Sequence, residues 1–242
     1  MNHMFLNIWC SCLCYAQITC NRRIKMNPNV HIIGMQFSTF VRSVQLCCEE
    51  KGIPYTIGAE FDGKPIDLRS PDYSTLHPFG KFPVLVHGDR QLIETPSICR
   101  YLDAAFAGPA LQPEDPWQRA QVDQWTAMLS LYIDQIIVRR YLLEFVFPKG
   151  EDGAVRQDAV AAAEPDVTRA LTLLDDQLAK GSYLVGENFT IADAIAAPML
   201  DYLSGMPAAK GLLADLSRLP DYVDRLRSRP SAASVLVTPT FK

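Results

Sequence analysis

The 242-residue chain lacks the features that mark membrane, metal and nucleic-acid-binding proteins. No apolar run reaches the ~20 residues that a membrane-spanning helix requires. The four histidines show no metal-ligand spacing, and none stands in a serine-hydrolase motif, so no bound metal is expected. The net charge of -4 does not indicate nucleic acid or an anionic membrane as a partner. With no internal repeat and no low-complexity tract, the chain is predicted to form one large or two modest globular domains.

Cysteine is concentrated at the start of the chain. Four of the seven cysteines stand there: Cys10, Cys12, Cys14 and Cys20. A secretory signal carries its positive charge before the apolar run, whereas Arg22, Arg23 and Lys25 follow that run here. A Cys-x-Cys-x-Cys pattern without nearby histidines is weak evidence for a metal site. The composition favours a third interpretation, a disordered leader over residues 1–27 with Met26 as the true start.

The other three cysteines, Cys47, Cys48 and Cys99, lie in helical patterns and are predicted to be small buried hydrophobic residues. Buried free cysteines are typical of a reducing compartment, so the predicted location is the cytoplasm.

Residues 28–107 predict a small α/β domain. Val30–Ile33 is a short apolar run that ends at Gly34, and it predicts a first strand. Residues 40–51 have helical periodicity and are followed by a glycine, and residues 53–57 predict a second strand. A hairpin and a further helix complete a βαβ unit followed by a ββα unit, which predicts one mixed sheet.

The chain is organised around a turn, a hairpin and a helix start between residues 77 and 96. His77-Pro78-Phe79-Gly80 predicts the turn, because proline fixes one φ and glycine tolerates a positive one. Residues 84–86 predict a buried strand, and Pro83 stands at its entrance because it has no N–H to give to a ladder. Residues 91–93 predict the return strand.

Thr95 is predicted to cap a helix over residues 96–106, in which Pro96 takes the first position at no cost in hydrogen bonds. The N-terminus of a helix suits a carboxylate, and Glu94 beside it suits an amine. A ligand that carries both groups on one carbon is an α-amino acid. The simpler alternative is a plain hairpin followed by a helix cap.

Residues 108–116 are rich in proline and predict a linker, after which residues 117–242 show only helical patterns. The longest pattern runs from residue 117 to about 147. Its apolar residues at helical spacing are Val122, Trp125, Leu129, Ile133 and Ile136. A second pattern over residues 154–179 contains Pro165, which is expected to kink or to break the helix.

Three further helix starts are predicted in this second region. Thr190 and Asp193 have the spacing of a capping box, a hydroxyl at the cap and a carboxylate three residues later. Leu219-Pro220 and Arg229-Pro230 each open a short final helix.

Ser38 is the candidate for chemistry, because it lies between the first predicted strand and the first predicted helix. A hydroxyl there can donate to an anion while the helix dipole helps to hold the charge. A serine at this position is also a favoured helix cap and needs no other role.

Three stretches of this sequence resemble cytosolic glutathione transferases. They are residues 33–44 around Ser38, residues 77–86, and residues 94–102. Residues 186–193 are similar to the helix cap of that family, and Arg229-Pro230-Ser231 is similar to its C-terminal signature. The nearest patterns are the serine-type classes, phi-like and bacterial or fungal, and the resemblance covers about residues 28–236.

The resemblance implies a thioredoxin-like N-terminal domain followed by an all-helical domain, the glutathione transferase fold, usually in a homodimer. It implies that Ser38 donates to the glutathione sulfur and favours the thiolate. The implied glutathione contacts are the cis-proline Pro83, Glu94 and Thr95 at the γ-glutamyl group, and Lys81, the backbone of Phe82 and Arg69 along the rest of the tripeptide. The implied second-substrate pocket takes side chains from Phe37, Trp125 and Met128.

The sequence departs from the family pattern at three places. Thr95 stands where serine is usual, and Pro96 after it is unusual. The basic pair of the phi-type pattern falls on Leu68 and Arg69, which leaves one cation for the glycine carboxylate.

The implied function is a detoxification reaction, in which glutathione is the co-substrate and is conjugated to a small apolar electrophile without a cofactor. Two alternatives remain: a glutathione-dependent peroxidase or dehalogenase, and a non-catalytic interaction module with the same fold. Thiol transfer is disfavoured because Ser38 stands where thiol-type relatives carry cysteine.

Overall fold

The computed structural model describes residues 30–237 of the chain. The predicted leader over residues 1–27 lies outside the described residues. Within residues 30–237 a region with a mixed sheet comes first and an all-helical region follows, as the sequence predicts. In that same range no helix is long and apolar enough to cross a membrane.

A four-stranded mixed sheet forms the centre of the first region. The strands are β1 (Val30–Ile33), β2 (Tyr55–Gly58), β3 (Glu60–Phe61), β4 (Lys64–Pro65), β5 (Val84–His87) and β6 (Arg90–Ile93). The sheet has the order β2-β1-β5-β6, while β3 and β4 pair separately. β1 is parallel to β2 and antiparallel to β5, so that Ile32 lies between Ile57 and Leu85 in the register. The predicted βαβ and hairpin strands are thus confirmed, whereas the β3–β4 pair was not predicted.

Three helices belong to the first region: α1 (Thr39–Lys51), α2 (Tyr73–Leu76) and α3 (Thr95–Ala105). α1 begins after Ser38 as its N-cap and ends at Gly52, whose φ of 64° is left-handed and costs glycine little. The facing sides of α1 and α3 bury Cys47, Cys48 and Cys99, which are fully inaccessible and free, as predicted. The short helix α2 was not predicted.

The start of α3 differs from the prediction. Glu94 occupies the N-cap position, its carbonyl accepts the N–H of Ile98 at 2.9 Å, and Thr95 is already the first helical residue. No side-chain cap bond forms at this end. The prediction that Thr95 caps the helix is therefore wrong, because Glu94 and not Thr95 carries the non-helical backbone turn into the helix.

The second region contains only helices within the described residues. They are α4 (Pro116–Met128), a π-helical segment (Leu129–Leu142), α5 (Leu143–Val146), α6 (Gln157–Gln177), α7 (Ile191–Gly205), α8 (Lys210–Leu213), α9 (Leu219–Arg227) and α10 (Ala232–Val235), with short 3-10 helices at Glu151–Gly153, Leu178–Lys180 and Pro207–Ala209. The first three elements form the predicted long helix. α6 passes Pro165 without a break. Hydrogen bonds in a π-helix span five residues, so its turns are wider than the sequence periodicity assumed.

The capping box at the start of α7 is confirmed. Asp193 Oδ2 accepts the N–H and the hydroxyl of Thr190, both at 2.8 Å. Its other oxygen accepts the N–H of Leu184 at 3.0 Å and the hydroxyl of Tyr222 at 2.6 Å. Asp193, Thr190, Leu184 and Tyr222 are all buried. The capping box therefore starts α7 and also joins it to α9 within the core.

The proline-rich segment between α3 and α4 is held by a buried cation. Lys51 Nζ donates to Asp103 Oδ1 and to the carbonyl of Pro109, both at 3.0 Å. Asp103 also accepts the N–H of Leu111 at 2.8 Å, and the carbonyl of Leu111 accepts the N–H of Ile191 at the start of α7. The segment therefore packs against both regions.

Candidate active site

A cavity of about 800 Å³ opens between the edge of the sheet region and the helical region. From the first region it is lined by Phe37, Ser38, Thr39, Phe40, His77, Gly80, Lys81, Phe82, Pro83, Glu94, Thr95 and Pro96. From the second it is lined by Ser130, Leu131, Asp134, Gln135, Val138, Arg139, Leu142, Leu143, Val146, Phe147, Tyr202 and Met206. One wall is thus rich in polar and backbone groups from loops, and the opposite wall is mainly apolar.

Ser38 is the N-cap of α1, and its half-buried side chain lines the cavity. Its Oγ accepts the N–H of Val41 at 3.5 Å, the outer limit of a hydrogen bond. The hydroxyl proton is directed by no hydrogen bond to another group in residues 30–237, because serine acts only as an acceptor in this contact. Ser38 is therefore a weak cap whose hydroxyl proton is not engaged by residues 30–237.

The loop that carries Ser38 is fixed by Tyr202 from the helical region and by Arg42 from α1. Tyr202 of α7 donates its hydroxyl to the carbonyl of Phe37 at 2.8 Å. Arg42 donates to the carbonyl of Gln36 at 3.1 Å and to that of Val237 at 2.7 Å, with its guanidinium 4.7 Å from the centre of the Tyr202 ring. Burial raises the pKa of Tyr202 to about 12, so that its hydroxyl stays a donor at neutral pH. Sequence patterns gave no sign of either contact.

The second polar feature of the cavity is the approach to β5 and the start of α3. The peptide bond between Phe82 and Pro83 is cis, as the family pattern implied. Lys81, Phe82 and Pro83 all line the cavity, together with Glu94 and Thr95. The structure thus brings these residues to the same cavity as Ser38.

Glu94 has an unusual backbone conformation, with φ 70° and ψ 110°. Residues other than glycine rarely take a positive φ, and such strained residues cluster at functional sites. Its side chain is exposed at the cavity, where it puts a negative charge beside the N-terminus of an 11-residue helix.

His77 is a site residue that sequence reasoning placed only in a turn. It lines the cavity with its side chain buried, and its Nδ1 accepts the N–H of Phe79 at 3.3 Å. Burial lowers the pKa of His77, so the imidazole is neutral at pH 7. It supports the turn before Lys81 and adds no charge to the cavity.

Two predicted pocket residues do not reach the cavity. Trp125 is 5% exposed and belongs to the core, and Met128 also packs against that core. The apolar wall is instead formed from Ser130 onward, by the π-helical segment and α5. Trp125 and Met128 were taken from the family resemblance, and both lie in α4, before the π-helical segment begins at Leu129. Phe37, the third predicted residue of this pocket, does line the cavity.

Arg69 also lies away from the cavity lining. It is exposed, and its backbone N–H donates to the side chain of Asp67 at 2.9 Å. Of the seven residues assigned to glutathione chemistry, it is the one that the structure does not bring to the cavity. No group of three or more His, Cys, Asp or Glu side chains in residues 30–237 has the arrangement of a metal site.

Comparisons with known proteins identify the family. The model of the glutathione S-transferase N-terminal domain matches residues 32–110, and that of the glutathione S-transferase C-terminal domain matches residues 157–225. Together they span more than half of the chain. The chain belongs to the glutathione S-transferase family. This confirms the predicted fold, the enzyme class and the use of glutathione.

Individual members of the glutathione S-transferase family agree along most of the chain. Glutathione S-transferase F10 of Arabidopsis thaliana is 28% identical over 179 residues, which are 71% of this chain and 83% of that protein. Glutathione S-transferase 3 of Zea mays is 28% identical over 214 residues, 83% of this chain and 90% of that protein.

Among solved structures, a theta class glutathione S-transferase from Xanthomonas axonopodis pv. citri with glutathione bound has a TM-score of 0.76 and 29% identity. The match covers 88% of this chain and 99% of that one. Glutathione S-transferase I from maize, in complex with an atrazine glutathione conjugate, has a TM-score of 0.73 and 25% identity over 86% of this chain and 96% of that one.

Proposed function

We propose that this glutathione transferase conjugates glutathione to small apolar electrophiles and that Ser38 stabilises the thiolate. The observation that supports this most is the position of Ser38, which combines a free hydroxyl proton, the N-terminus of a 13-residue helix and a place on the cavity wall. A hydrogen bond to the charged form of a thiol lowers its pKa, and the helix dipole acts in the same direction.

Glutathione would lie along the polar wall. Glu94 and the start of α3 are suited to the amine and the carboxylate of the γ-glutamyl group, because a helix N-terminus attracts anions. Lys81 and the backbone of Phe82 and Pro83 would hold the middle and the glycine end of the tripeptide. Arg69 has no place in this arrangement, since it does not line the cavity.

The reaction needs two steps in this cavity. The thiol of glutathione loses its proton to water, and the thiolate that remains is held by the Ser38 hydroxyl. Its sulfur then attacks the electrophilic carbon, so that a C–S bond forms while the leaving group departs with its electron pair. The apolar wall keeps the electrophile beside the sulfur, and holding the two reactants together supplies much of the rate enhancement.

The class within the family is part of this proposal. A serine-type, phi-like enzyme is supported by Ser38 at the N-cap of α1 and by the similarity to plant relatives.

A homodimer is supported by large apolar side chains that stay exposed in the single chain, among them Phe79, Trp117 and Tyr132. Sedimentation velocity would measure the assembly. A cytoplasmic location is supported by the three free cysteines, and cell fractionation would test it.

The test of the catalytic proposal is the titration of bound glutathione in wild type and in Ser38→Ala. We expect the substitution to raise the pKa of the bound thiol and to lower conjugation of a chlorodinitrobenzene roughly 10- to 1,000-fold, with little change in glutathione binding. Ser43→Ala is the matched control, because Ser43 lies on the same helix, bonds to Thr39 and does not line the cavity. Identical titration curves and equal turnover would leave Ser38 as a helix cap.

A further inference from the structure

The apolar wall of the cavity contains one ion pair. Most of that wall is formed by Leu131, Val138, Leu142, Leu143, Val146, Phe147 and Met206. Asp134 and Arg139 stand among them, with Asp134 Oδ2 accepting from Arg139 Nε at 2.9 Å. An ion pair in an apolar wall costs desolvation energy, and this cost calls for an explanation beyond packing.

Asp134 is the buried member of the pair. Its side chain is 1% exposed, and Oδ1 has no hydrogen-bond partner in the described part of the chain. The hydroxyl of Ser130, which also lines the cavity, likewise has no partner within residues 30–237. Burial raises the pKa of Asp134, and the neighbouring Arg139 acts against this shift. Buried polar atoms are rarely left without partners, so this part of the wall is not built for packing alone.

Arg139 is the open member of the pair. Its side chain is 42% exposed, and only Nε is used by Asp134. The two terminal nitrogens make no hydrogen bond to residues 30–237, while the guanidinium lies 6.0 Å from the centre of the Phe40 ring. Arg139 is held by Asp134 and lies near Phe40, and it lines the cavity with its two terminal nitrogens unpartnered within residues 30–237. A planar guanidinium in this state is a receptor for a carboxylate, which it binds through two parallel hydrogen bonds.

We propose that Arg139 binds an acidic group on the second substrate, so that the site selects aromatic or otherwise apolar electrophiles that carry a carboxylate. This inference rests on the proposed function, because it concerns the partner of the glutathione thiolate. Arg139 lies on the helical wall among the apolar residues, whereas the groups suited to glutathione lie on the opposite wall. Asp134 is a positioning residue that fixes Arg139 and does not touch the substrate.

The test compares two electrophiles that differ at one substituent, the carboxylate of 4-chloro-3,5-dinitrobenzoate and the uncharged group of its methyl ester, and it measures how each variant changes kcat/KM for each substrate. In both, the sulfur replaces chloride at the same ring carbon. We expect wild type to prefer the acid, and Arg139→Gln to lower kcat/KM for the acid about 10- to 100-fold while changing that for the ester less than about threefold. Arg139→Lys should retain part of the preference. Asp134→Asn should give an intermediate loss, again for the acid, because Arg139 then lacks its anchor.

Arg140→Gln is the matched control. Arg140 follows Arg139 in the chain, is similarly exposed at 48%, and pairs with Asp166 outside the cavity lining. It should keep the wild-type preference for the acid. The melting temperature of each variant shows whether it is folded. If Arg139→Gln is not folded, the comparison between the acid and the ester is made with Arg139→Lys instead.

A second measurement separates failure of this inference from failure of the proposed function. Calorimetry is used to measure binding of the two pre-formed products, the glutathione conjugates of the acid and of the ester. If neither conjugate binds wild type, the proposed function is wrong and this inference falls with it. If both conjugates bind wild type and Arg139→Gln lowers the affinity for both equally, Arg139 does not recognise the carboxylate of the second substrate. The same conclusion follows if Arg139→Gln raises the KM for glutathione instead. In either case this inference alone is overturned.

Discussion

At the scale of single residues, the site depends on a backbone conformation that costs stability. Glu94 has a positive φ although it is not glycine, and it has no side-chain bond that caps α3. A residue in such a region typically costs on the order of 1–3 kcal/mol, a cost that persists only when the surroundings impose it. The exposed side chain of Glu94 lines the cavity, and this position agrees with the proposed role of Glu94 in binding glutathione.

Glu94→Gly separates the two roles of this residue. Glycine tolerates the positive φ, so we expect a rise in unfolding free energy of about 1 kcal/mol, measured by chemical denaturation. Glutathione binding, measured by calorimetry, should weaken about tenfold or more because the carboxylate is lost. Asp62→Gly is the control: Asp62 also has a positive φ, 50°, but does not line the cavity. It should gain stability and keep binding. Tight binding by Glu94→Gly would remove Glu94 from the glutathione site.

The sequence could predict where Glu94 lies but not its conformation. The hairpin, Pro96 and the helix pattern placed residues 94–96 at a helix start, although Pro96 takes the second helical position and not the predicted first one. A glutamate in the sequence does not predict a positive φ, because this residue type is common in helices and turns. The sequence therefore predicted Thr95 as the N-cap because of its hydroxyl side chain. In the structure Glu94 is the N-cap, because its backbone is the last non-helical one before α3.

At the scale of secondary-structure elements, α7 organises the helical region. Its N-terminal cap lies in the core, and Asp193 is completely buried with four hydrogen bonds to Thr190, Leu184 and Tyr222. A buried donor that loses its acceptor costs more than the bond itself contributes. One side chain therefore joins the start of α7, the preceding loop and α9.

Asp193→Ala should lower the unfolding free energy by more than the ~1–2 kcal/mol of an exposed cap, because it leaves several buried donors without an acceptor. Glutathione affinity per folded molecule should stay close to wild type, since Asp193 does not line the cavity. Chemical denaturation and calorimetry on the same preparations measure both quantities. Tyr222→Phe removes one of the four bonds and should cost clearly less. Equal losses in the two variants would contradict the network.

Elements with strong local signals were predictable, and those set by packing were not. β1, α1 and the β5–β6 hairpin follow from apolar runs bounded by glycine and proline. The capping box follows from the three-residue spacing between Thr190 and Asp193. The π-helical segment has no such signal, because its composition is that of an ordinary helix. Asp134 and Arg139 of this segment line the cavity, whereas Trp125 and Met128 of the preceding α4 do not.

At the scale of the whole molecule, the two regions are joined near both ends of α1. Tyr202 and Arg42 hold the loop before Ser38 at one end. At the other, Arg229 makes two hydrogen bonds of 2.6 Å to Glu50 of α1, and Ser231 donates a further one to the same carboxylate. The resemblance marked Arg229 and Ser231 as a signature, but no pattern along the chain could name Glu50, which is 179 residues away from Arg229.

The Glu50–Arg229 contact makes stability depend on pH. Burial acts to raise the pKa of Glu50, but the hydrogen bonds from Arg229 and Ser231 outweigh it and hold that pKa below its usual 4.5. The unfolded chain then binds the proton more readily than the folded one. The contribution is therefore complete above the unfolded pKa and is lost as the pH falls through the lower folded pKa. Arg229 also lies over the ring of Phe189 at 4.4 Å, which keeps the pair partly shielded from water.

Glu50→Gln tests this link between the regions. The variant keeps the shape of the side chain but loses its charge, so we expect it to be less stable than wild type at pH 7 by roughly 1–3 kcal/mol. As the pH falls from 7 towards 3, the difference between the two proteins should shrink, because wild type loses the same contribution by protonation. Glu49→Gln is the control: Glu49 precedes Glu50 on α1, is exposed, and accepts a hydrogen bond from Tyr55 with no arginine partner in residues 30–237. Denaturation curves at each pH measure all three proteins, and a Glu50→Gln difference that stays constant down to pH 3 would show that the bidentate contact does not set the pH dependence.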